Sequence, residues 1–516
     1  MSSSAIYITT SIPYVNAAPH VGFALELVQA DAYARHLRLL GHDVRFQCGT
    51  DDNSLKNVRA AEVAGFPVTE FVNSNADRFE RLGVQLKISN DEFIRTSNNL
   101  SHVACVHRLW NACASSGDLY RKSYEGLYCL GCEEFYDPAE LDNGRCPEHG
   151  VPLENVKEEN WFFRLSRYRD RILELVETDT LKIVPSHRRN EVLALLRRGL
   201  FDISVSRGAE RSRGWGVPVP GGDEVVYVWF DALANYLTGL GYGSDERLFE
   251  RYWCGEGERI HVVGKGISKF HAVYWVAILL SAGLPPPSSI LIHGYVTVDG
   301  RKIGKSAGNG IDPERIIQAY GTPDALRYYL LRHVRCSDDG DFSEDRLEAA
   351  WSGELAAQLG NLTNRVVALL ATSFGGIVPP VQDSDFVREA MQLPSTVARA
   401  FERYELHVGV SEIFAFLGEA NRQFTKRAPW ADAKALGGDL PAEDRHITID
   451  RLSSSLAEQV FGLAIVARSL LPFLPTAATE LHTKLGLQLP EKYRDRIFVD
   501  GAKTASGAVL FPRRGA

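Results

Sequence analysis

The stretch AIYITTSIPYVNAAPHVGFALE, residues 5–26, decides the fold class of this chain. Its first six residues are rich in β-formers and predict a short strand, and a loop containing proline and asparagine follows. From Val21 to Leu40 the apolar residues recur at helical spacing, and Gly41 follows as a candidate C-cap. The stretch therefore predicts a strand, a loop and a helix in succession.

The same order repeats further along the chain. Val44 to Cys48 is strand-like, and the polar loop 49–54 leads into another helix. Strand-like runs return at Val225 to Phe230, Arg259 to Val263 and 290–298. This alternation predicts a parallel sheet with crossover helices, in which ligands bind at the carboxyl ends of the strands.

Two further regions differ in character from this sheet. Residues 114–226 carry clustered cysteines, short aromatic strands and a glycine- and proline-rich exit, so we predict an inserted module there. From Glu344 onward strand signals nearly disappear, and long segments with helical periodicity predict a bundle.

Composition sets broad limits on function. The chain has 516 residues, 45% hydrophobic and 24% charged, which is ordinary for a globular protein and long enough for roughly three domains. The net charge of −8 does not indicate nucleic acid, although a local basic patch on an acidic body remains compatible with an RNA partner. We find no secretory signal and no apolar run near the ~20 residues that span a bilayer, so we expect a cytoplasmic protein without membrane contact.

Three of the eight cysteines form part of a candidate metal site. Cys129 and Cys132 form a Cys-x-x-Cys pair, and Cys146 and His149 form a Cys-x-x-His pair after it. Four such ligands predict a closed, structural zinc site. The alternative is unliganded buried cysteines beside a surface histidine, and the correct spacing of all four ligands favours zinc.

Two short segments predict phosphate binding. His20 and Gly22 stand where the first loop meets the first helix, and a helix N-terminus favours an anion. Far along the chain, Lys302 and Lys305 place two ammonium groups in a glycine-containing loop followed by Ser306. Each segment is weak on its own, because a solvated turn would look the same.

The two segments resemble the His-Ile-Gly-His and Lys-Met-Ser-Lys-Ser signatures of class I aminoacyl-tRNA synthetases. More specific segments make the chain similar to the methionyl-tRNA synthetase family over nearly its whole length. These are Ile12-Pro13-Tyr14-Val15-Asn16, Gly49-Thr50-Asp51, Tyr227-Val-Trp229-Phe-Asp231-Ala232-Leu233, Gly264-Lys265, Phe270-His271 and His293-Gly-Tyr-Val.

The resemblance implies an α/β fold: a split Rossmann-like parallel-sheet catalytic domain with an inserted zinc-knuckle module and a C-terminal all-α anticodon-binding bundle. The implied domains are 1–113 and 227–295 for the two halves of the catalytic domain, 114–226 for the inserted connective domain, 296–350 for the second signature loop and stem-contact region, and 351–516 for the helical anticodon-binding domain.

The resemblance also implies a two-step reaction. ATP activates L-methionine to methionyl-adenylate with Mg²⁺, and the methionyl group then passes to tRNA(Met); structural Zn²⁺ completes the expected cofactors. Catalysis would be positioning and charge stabilisation around the phosphates, because the attacking carboxylate needs no base. The implied catalytic residues are His20, Lys302 and Lys305, and the implied ATP-binding residues are Pro19, His20, Gly22, Phe23, Glu26, Lys265, His293 and Lys305.

Residues of two further sites follow from the same resemblance. Asp51 is expected to pair with the substrate ammonium, and aromatic side chains to surround the thioether, with Tyr14 and His271 as possible donors to its sulfur. The expected methionine pocket is Ile12, Tyr14, Asp51, Trp229, Ala232, Leu233, Tyr236, Ile267 and His271. The expected anticodon contacts are Asn361, Arg365 and Trp430, by base-edge bonding and stacking.

Four departures from the family pattern lie mostly around ATP. Phe23 replaces the last histidine of the first signature, Asp52-Asn53-Ser54 replaces Glu-His-Gly, Gly266 stands where aspartate is usual, and Ile303-Gly304 replaces Met-Ser. Three interpretations stay open: a methionyl-tRNA synthetase with a reshaped ATP site, including an inhibitor-insensitive form; a paralogue that supplies methionyl-adenylate or methionyl-tRNA to secondary metabolism; or a non-catalytic tRNA-binding relative. We expect a monomer.

Overall fold

The computed structural model describes residues 5–97, 99–129, 134–136, 138, 141–147, 150–303 and 310–514. The chain divides into two compact units. Unit 1 comprises Met1–Pro19, Asp43–Val84 and Ser89–His293, and unit 2 comprises His20–His42, Gln85–Ile88 and Gly294–Ala516. No helix in the described ranges combines the length and the apolar character needed to cross a bilayer.

The strands of the described chain are numbered in order. They are β1 (Ala5–Thr10), β2 (Asp43–Thr50), β3 (Glu92–Arg95), β4 (Leu119–Cys129), β5 (Glu134–Tyr136), β6 (Glu154–Phe163), β7 (Lys182–Val184), β8 (Ile203–Ser204), β9 (Ser206–Arg207), β10 (Val225–Val226), β11 (Arg259–Gly264), β12 (Ser289–His293), β13 (Val296–Val298), β14 (Arg301–Lys302) and β15 (Gly340–Asp341).

The α-helices are numbered in the same way. They are α1 (Val21–Leu40), α2 (Leu55–Ala64), α3 (Val68–Gln85), α4 (Leu100–Ser115), α5 (Arg169–Glu177), α6 (Ser186–Arg198), α7 (Ala209–Ser212), α8 (Val228–Leu233), α9 (Asn235–Thr238), α10 (Arg247–Phe249), α11 (Val276–Ser281), α12 (Pro313–Tyr320), α13 (Asp324–Arg332), α14 (Glu344–Ala350), α15 (Asn361–Phe374), α16 (Asp385–Glu402), α17 (Leu406–Arg427), α18 (Pro429–Leu436), α19 (Ala442–Leu470) and α20 (Pro475–Lys484). Short π-helical turns occupy Glu250–Cys254, Phe270–Trp275 and Trp351–Gly360.

Unit 1 is built on the predicted parallel sheet. Its strand order is β3-β2-β1-β11-β12-β7, and every neighbouring pair is parallel. Strands β1, β2 and β11 therefore end at one edge, which brings the loops after Thr10, Thr50 and Gly264 together. A core rich in aromatic side chains, including Trp253 and Trp275, packs within this unit.

The segment predicted as an inserted module forms a second sheet in unit 1. Its order is β5-β4-β6-β8, with antiparallel pairs throughout. The same segment also contributes β7, which pairs with β12 at the edge of the parallel sheet. The segment is thus joined to the main sheet by a strand as well as by its chain ends.

Unit 2 contains the small sheet β14-β13-β15 and the C-terminal helices α12 to α20, together with α1. The prediction of helical structure beyond Glu344 is confirmed. Apolar residues of α15 and the π-helical turn before it, among them Leu355, Leu359 and Leu362, are fully buried.

Local predictions had different outcomes. Helix α1 has the predicted bounds, and Gly41 closes it at φ 94°, a left-handed conformation that suits glycine. The predicted strand over Val225–Phe230 is wrong beyond its second residue. Only Val225 and Val226 pair, with β9, and helix α8 begins at Val228. The β-forming side chains there are buried in the unit 1 core, so packing overrides local propensity.

Candidate active site

The loops after β1 and β2 are bound to each other directly. Tyr14 and Asp51 form an isolated parallel bridge, and the Asp51 N–H donates to Pro13 O at 2.9 Å. The loops bring two of the predicted methionine residues side by side at the carboxyl edge of the sheet. Ile12 lies in the loop after β1. A Cβ at Gly49 would lie 2.4 Å from Ile94 O and 3.0 Å from Ile12 Cγ2, so there is no room for a side chain at Gly49.

Asp51 is held in one orientation by the chain that follows it. Its side chain is 2% exposed, and its Oδ1 accepts from the backbone N–H of Asn53 at 3.1 Å. Asn57, from α2, donates to the carbonyl oxygens of Asp51 and Asp52, each at 2.9 Å. A carboxylate fixed in this way is suited to receive an ammonium group.

Asp52 fixes the same loop to β3. Burial raises the pKa of this carboxyl group, while hydrogen bonds from Ser97 and Arg95 and the positive charge of Arg95 oppose the rise. Its Oδ2 accepts from Ser97 Oγ at 2.7 Å, and the Trp215 indole donates to its carbonyl oxygen at 2.8 Å. The aspartate that departs from the family pattern is thus an anchor of the loop.

An aromatic wall faces the Asp51 loop. Trp229, in the first turn of α8, meets Tyr14 edge-on with ring centroids 6.5 Å apart and stacks on Phe270 at 3.7 Å. The Lys56 ammonium lies 4.5 Å from the Tyr14 ring centroid. Within the described part of the chain, the buried indole Nε1 of Trp229 has no hydrogen-bond partner, so it is a donor that a ligand can use.

A buried histidine, His271, directly follows Phe270 of this wall in the chain. His271 Nδ1 lies 2.9 Å from Ile267 O, and its Nε2 lies 2.7 Å from the Tyr236 hydroxyl. Because a carbonyl oxygen only accepts, Nδ1 carries the proton. The ring of His261 lies next to that of His271, with centroids 6.2 Å apart, and is fully buried. Burial lowers the pKa of His261 well below its usual value. In this arrangement the N–H of His271 Nδ1 donates to the backbone carbonyl of Ile267. This N–H is therefore not directed toward a substrate sulfur, the donor role proposed for His271 from sequence.

The predicted methionine residues thus lie within unit 1, and contacts link most of them. Ala232 and Leu233 are buried on α8, three and four residues after Trp229. Sequence reasoning missed Phe270 as a wall residue, although it stands beside His271 in a quoted motif. It also missed the hydrogen bonds from Asn53 and His102 to Asp231, which join the Asp51 loop and α4 to α8.

The first signature forms a cap on α1. His20 is the N-cap residue, and its Nδ1 accepts from the Gly22 N–H at 3.1 Å, so a neutral ring presents its N–H at Nε2. A Cβ at Gly22 would lie 2.8 Å from His20 Cε1. The space at this glycine is therefore taken by the histidine ring itself. Phe23 and Glu26 are buried on α1.

The other predicted nucleotide residues are described only in part. Lys265 follows β11 and His293 ends β12, both in unit 1 with Pro19. Lys302 ends β14, and its side chain is outside the described structure. Lys305 lies outside the described residues, so the second signature stays a prediction.

The candidate zinc site is also described in part. Cys129 and Cys146 are fully buried in one small cluster with Tyr136. Cys132 and His149 lie outside the described residues, and no group of three or more metal-binding side chains occurs within the described ranges. Two buried thiols in one cluster fit half of a tetrahedral zinc site.

The predicted anticodon residues lie in unit 2. The exposed Arg365 places its guanidinium 4.7 Å from the Trp430 ring centroid and 4.8 Å from that of Phe424. Trp430 is 39% exposed at the start of α18. Asn361 begins α15, directly after the π-helical turn. An arginine stacked on an exposed indole can accept a nucleobase against either group.

Comparison with known proteins agrees with this geometry. The model of the family "tRNA synthetases class I (M)" matches residues 6–153 and 136–367. The methionine–tRNA ligase of Thermotoga maritima is 37% identical over 492 residues, covering 93% of this chain and 75% of that protein. The corresponding ligase of Brucella suis is 40% identical over 443 residues, covering 84% of each.

Solved structures extend the likeness to the fold. The Mycobacterium tuberculosis methionyl-tRNA synthetase in complex with methionyl-adenylate is similar with a TM-score of 0.91 and 36% identity, covering 99% of this chain and 100% of that one. The sequence similarity runs through both units, and the sheet edge that carries Asp51 and Trp229 lies inside the matched range. The chain therefore belongs to the methionine–tRNA ligase family of class I tRNA synthetases.

Proposed function

We propose that this chain is a methionine–tRNA ligase, which activates L-methionine with ATP to methionyl-adenylate and transfers the methionyl group to tRNA(Met) in translation. One observation carries the proposal. A fixed, buried carboxylate, Asp51, and an aromatic wall formed by Tyr14, Trp229 and Phe270 meet at the carboxyl edge of the sheet, in a chain whose relatives are methionine–tRNA ligases.

The pocket chemistry suits methionine. The Asp51 carboxylate pairs with the substrate ammonium, and the aromatic faces enclose the polarisable thioether. Trp229 Nε1–H is available for a polar group of the substrate. We also assign Ile12, Ala232, Leu233, Tyr236, Ile267 and His271 to the pocket lining.

The nucleotide chemistry rests on the two signatures. In the first step a methionine carboxylate oxygen attacks the α-phosphorus of ATP, and the bond to pyrophosphate breaks. His20 donates from Nε2 to phosphate, while Lys302 and Lys305 stabilise charge on the five-coordinate phosphorus and on pyrophosphate. Pro19, Gly22, Phe23, Glu26, Lys265 and His293 complete the proposed ATP site. Mg²⁺ supplies further charge neutralisation when bound.

In the second step the terminal ribose hydroxyl of tRNA takes the methionyl group and AMP leaves. Arg365 and Trp430 support tRNA binding, because a stacked cation and an exposed indole are a common platform for unpaired bases. Asn361 is the third proposed contact.

Zinc is proposed as a structural ion. Cys129, Cys132, Cys146 and His149 would hold it, and a closed site of this type stabilises a small module with little core of its own. We retain the five-part domain division with boundaries at 113, 226, 295 and 350 as a proposal. We further propose that the ligase acts as a monomer in the cytoplasm, where translation takes place; light scattering tests the first point.

Methionine-dependent exchange of pyrophosphate into ATP tests the first step, and charging of initiator and elongator tRNA tests the second. We expect both activities with L-methionine and neither with L-leucine. Exchange without charging would instead identify a supplier of methionyl-adenylate. Absence of both would contradict the proposal and favour a non-catalytic tRNA-binding relative.

A further inference from the structure

A buried network of hydrogen bonds joins the Asp51 loop to α8 and α4 in unit 1. Asp231, on α8, is 1% exposed, and both of its carboxylate oxygens are hydrogen-bonded. Oδ1 lies 2.5 Å from His102 Nε2, and Oδ2 accepts from Asn53 Nδ2 at 2.8 Å. His102 is fully buried on α4, and its Nδ1 lies 2.8 Å from Thr238 Oγ1.

The direction of these bonds follows from the carboxylate. Because an ionised carboxylate only accepts, Asn53 must turn its amide nitrogen toward Asp231, and His102 must donate from Nε2. A buried carboxylate that loses one of two donors keeps its desolvation cost without the compensating bond. Asp231 therefore holds both partners firmly.

Asn53 connects this hydrogen-bond network to Asp51, the residue proposed to bind the substrate ammonium. Its side chain bonds Asp231, while its backbone N–H bonds the Asp51 carboxylate at 3.1 Å. The position of the backbone N–H depends on where the side chain is anchored. A shift of Asn53 thus changes the orientation of the Asp51 carboxylate.

Asp231 connects the same hydrogen-bond network to the aromatic wall that contains Trp229. It stands two residues after Trp229 in a helix of only six residues, so its bond to His102 restrains the rotation of α8 and the placement of the indole. The indole in turn stacks on Phe270 and contacts Tyr14. One carboxylate therefore links the loop that holds the ammonium ligand to the helix that holds the aromatic wall.

We propose that Asn53, Asp231 and His102 are positioning residues for methionine, which set the Asp51 carboxylate and the Trp229 indole at the separation that the amino acid requires. The inference rests on the proposed function. A purely structural role would predict loss of thermal stability without selective loss of methionine binding. A positioning role predicts a weaker complex with methionine at an unchanged response to ATP.

The central variant is Asn53→Leu, which keeps the size of the side chain and removes the amide donor. We expect the dissociation constant for L-methionine, measured by equilibrium dialysis without ATP, to rise about tenfold, since a hydrogen bond to a buried charge is lost. In pyrophosphate exchange the KM for methionine should rise to the same extent, while the KM for ATP stays within about twofold.

Two variants test the cause. Asn53→His restores an N–H donor and should recover methionine binding to within about threefold of wild type. Asn90→Leu is the matched control, because Asn90 is also half-buried in unit 1 and its side chain donates to the Glu92 carbonyl, at the opposite end of the parallel sheet. It should leave both constants unchanged.

Thr238→Val provides a second route in case Asn53→Leu folds poorly. It preserves side-chain shape and removes the hydroxyl next to His102 Nδ1, so we expect a smaller rise, about threefold, in the methionine constant. The proposal is overturned if Asn53→Leu and Thr238→Val bind methionine as wild type does, or if Asn53→His is as impaired as Asn53→Leu. If wild type itself neither binds methionine nor exchanges pyrophosphate, the proposed function fails and this inference falls with it.

Discussion

The proposed amino-acid pocket and the first signature helix are stabilised by bonds between residues at very different separations in sequence. In the pocket, Asp231 bonds partners 129 and 178 residues away. At the start of α1, His20 bonds the backbone of Gly22, two residues away. A substitution in the pocket therefore disturbs several segments, whereas a substitution at the cap acts locally.

The body of α1 differs again from its cap. Its buried face is anchored inside unit 2, where Asp31 pairs with Arg327 at 2.8 Å and Gln29 accepts from the Tyr404 hydroxyl at 3.1 Å. The signature histidine thus stands at the end of a helix that is fixed by a buried ion pair. Because these bonds and the bond at the cap involve different residues, the helix and its cap can be perturbed separately.

The largest effect is expected from Arg327→Met. Arg327 is fully buried, pairs with Asp31, and donates to the carbonyl oxygens of Phe473, Leu86 and Pro472 at 2.8, 3.1 and 3.1 Å. Removing the guanidinium leaves a buried carboxylate and several carbonyls with fewer donors. We expect the free energy of unfolding to fall by about 3–5 kcal/mol in chemical denaturation.

The matched control for that experiment is Arg315→Met. Arg315 also pairs with a carboxylate, that of Glu344, but both side chains are more than half exposed. Its replacement should change stability by less than about 1 kcal/mol. Equal losses in the two variants would show that the buried pair does not anchor α1.

The next effect is expected from Asp51→Asn in the pocket. The neutral amide keeps the shape and removes the charge proposed to bind the ammonium group. The KM for methionine in pyrophosphate exchange should rise about 100-fold, equivalent to ~3 kcal/mol, with the KM for ATP nearly unchanged. Asp77→Asn, which alters a 63% exposed carboxylate paired with Arg95, is the control and should have no effect. An unchanged KM for methionine in Asp51→Asn would contradict the assigned role.

Sequence patterns predicted the framework for clear physical reasons. Helix α1 was predicted with its observed bounds because helical periodicity ends directly at a left-handed glycine. The parallel sheet followed from the alternation of strands and helices. The strand predicted over Val225–Phe230 is wrong beyond Val226, because the β-forming residues of α8 are buried in the core, where packing overrides local propensity.

Sequence patterns predicted which residues belong to the candidate site but not which hydrogen bonds connect them. Motif resemblance supplied Asp51, Trp229 and His271, because these stand inside recognisable segments. It did not supply the bonds from Asn53 and His102 to Asp231, since hydrogen bonds between segments more than 100 residues apart produce no local pattern. Such bonds become visible only when the sheet has brought the loops together.

A third prediction concerns the dependence of folding stability on pH and involves His36, near the C-terminal end of α1. His36 stacks on Phe401 with ring centroids 3.9 Å apart, and burial, followed by the nearby His42, lowers the pKa of His36 from 6.5 to about 3. Between these values the unfolded chain binds a proton that the folded chain excludes, so stability falls as the pH falls below 6.5. The contribution of His36 should be about 2 kcal/mol less at pH 5 than at pH 7.

His36→Phe tests this contribution. The variant keeps an aromatic ring against Phe401 and removes the titrating group, so its free energy of unfolding should vary less between pH 7 and pH 5 than that of wild type. The control is His446→Phe, because His446 is 79% exposed on α19. Parallel pH curves for wild type and His36→Phe would show that another group is responsible.

The smallest effect is expected from Gly22→Ala, which separates the cap from the helix that carries it. The added Cβ would meet His20 Cε1 at 2.8 Å, so the ring must turn and lose its bond from the Gly22 N–H. Because that bond sets which nitrogen carries the proton in the proposed contact of His20 with phosphate, kcat/KM for ATP should fall about tenfold, or ~1.4 kcal/mol. The dissociation constant for methionine should not change, since the pocket is held by bonds within unit 1.

Gly353→Ala, where a Cβ meets no atom within 4 Å, is the matched control. A parallel loss of methionine affinity in Gly22→Ala would mean that the cap and the pocket are coupled, and the distinction between local and distant stabilisation would have to be abandoned.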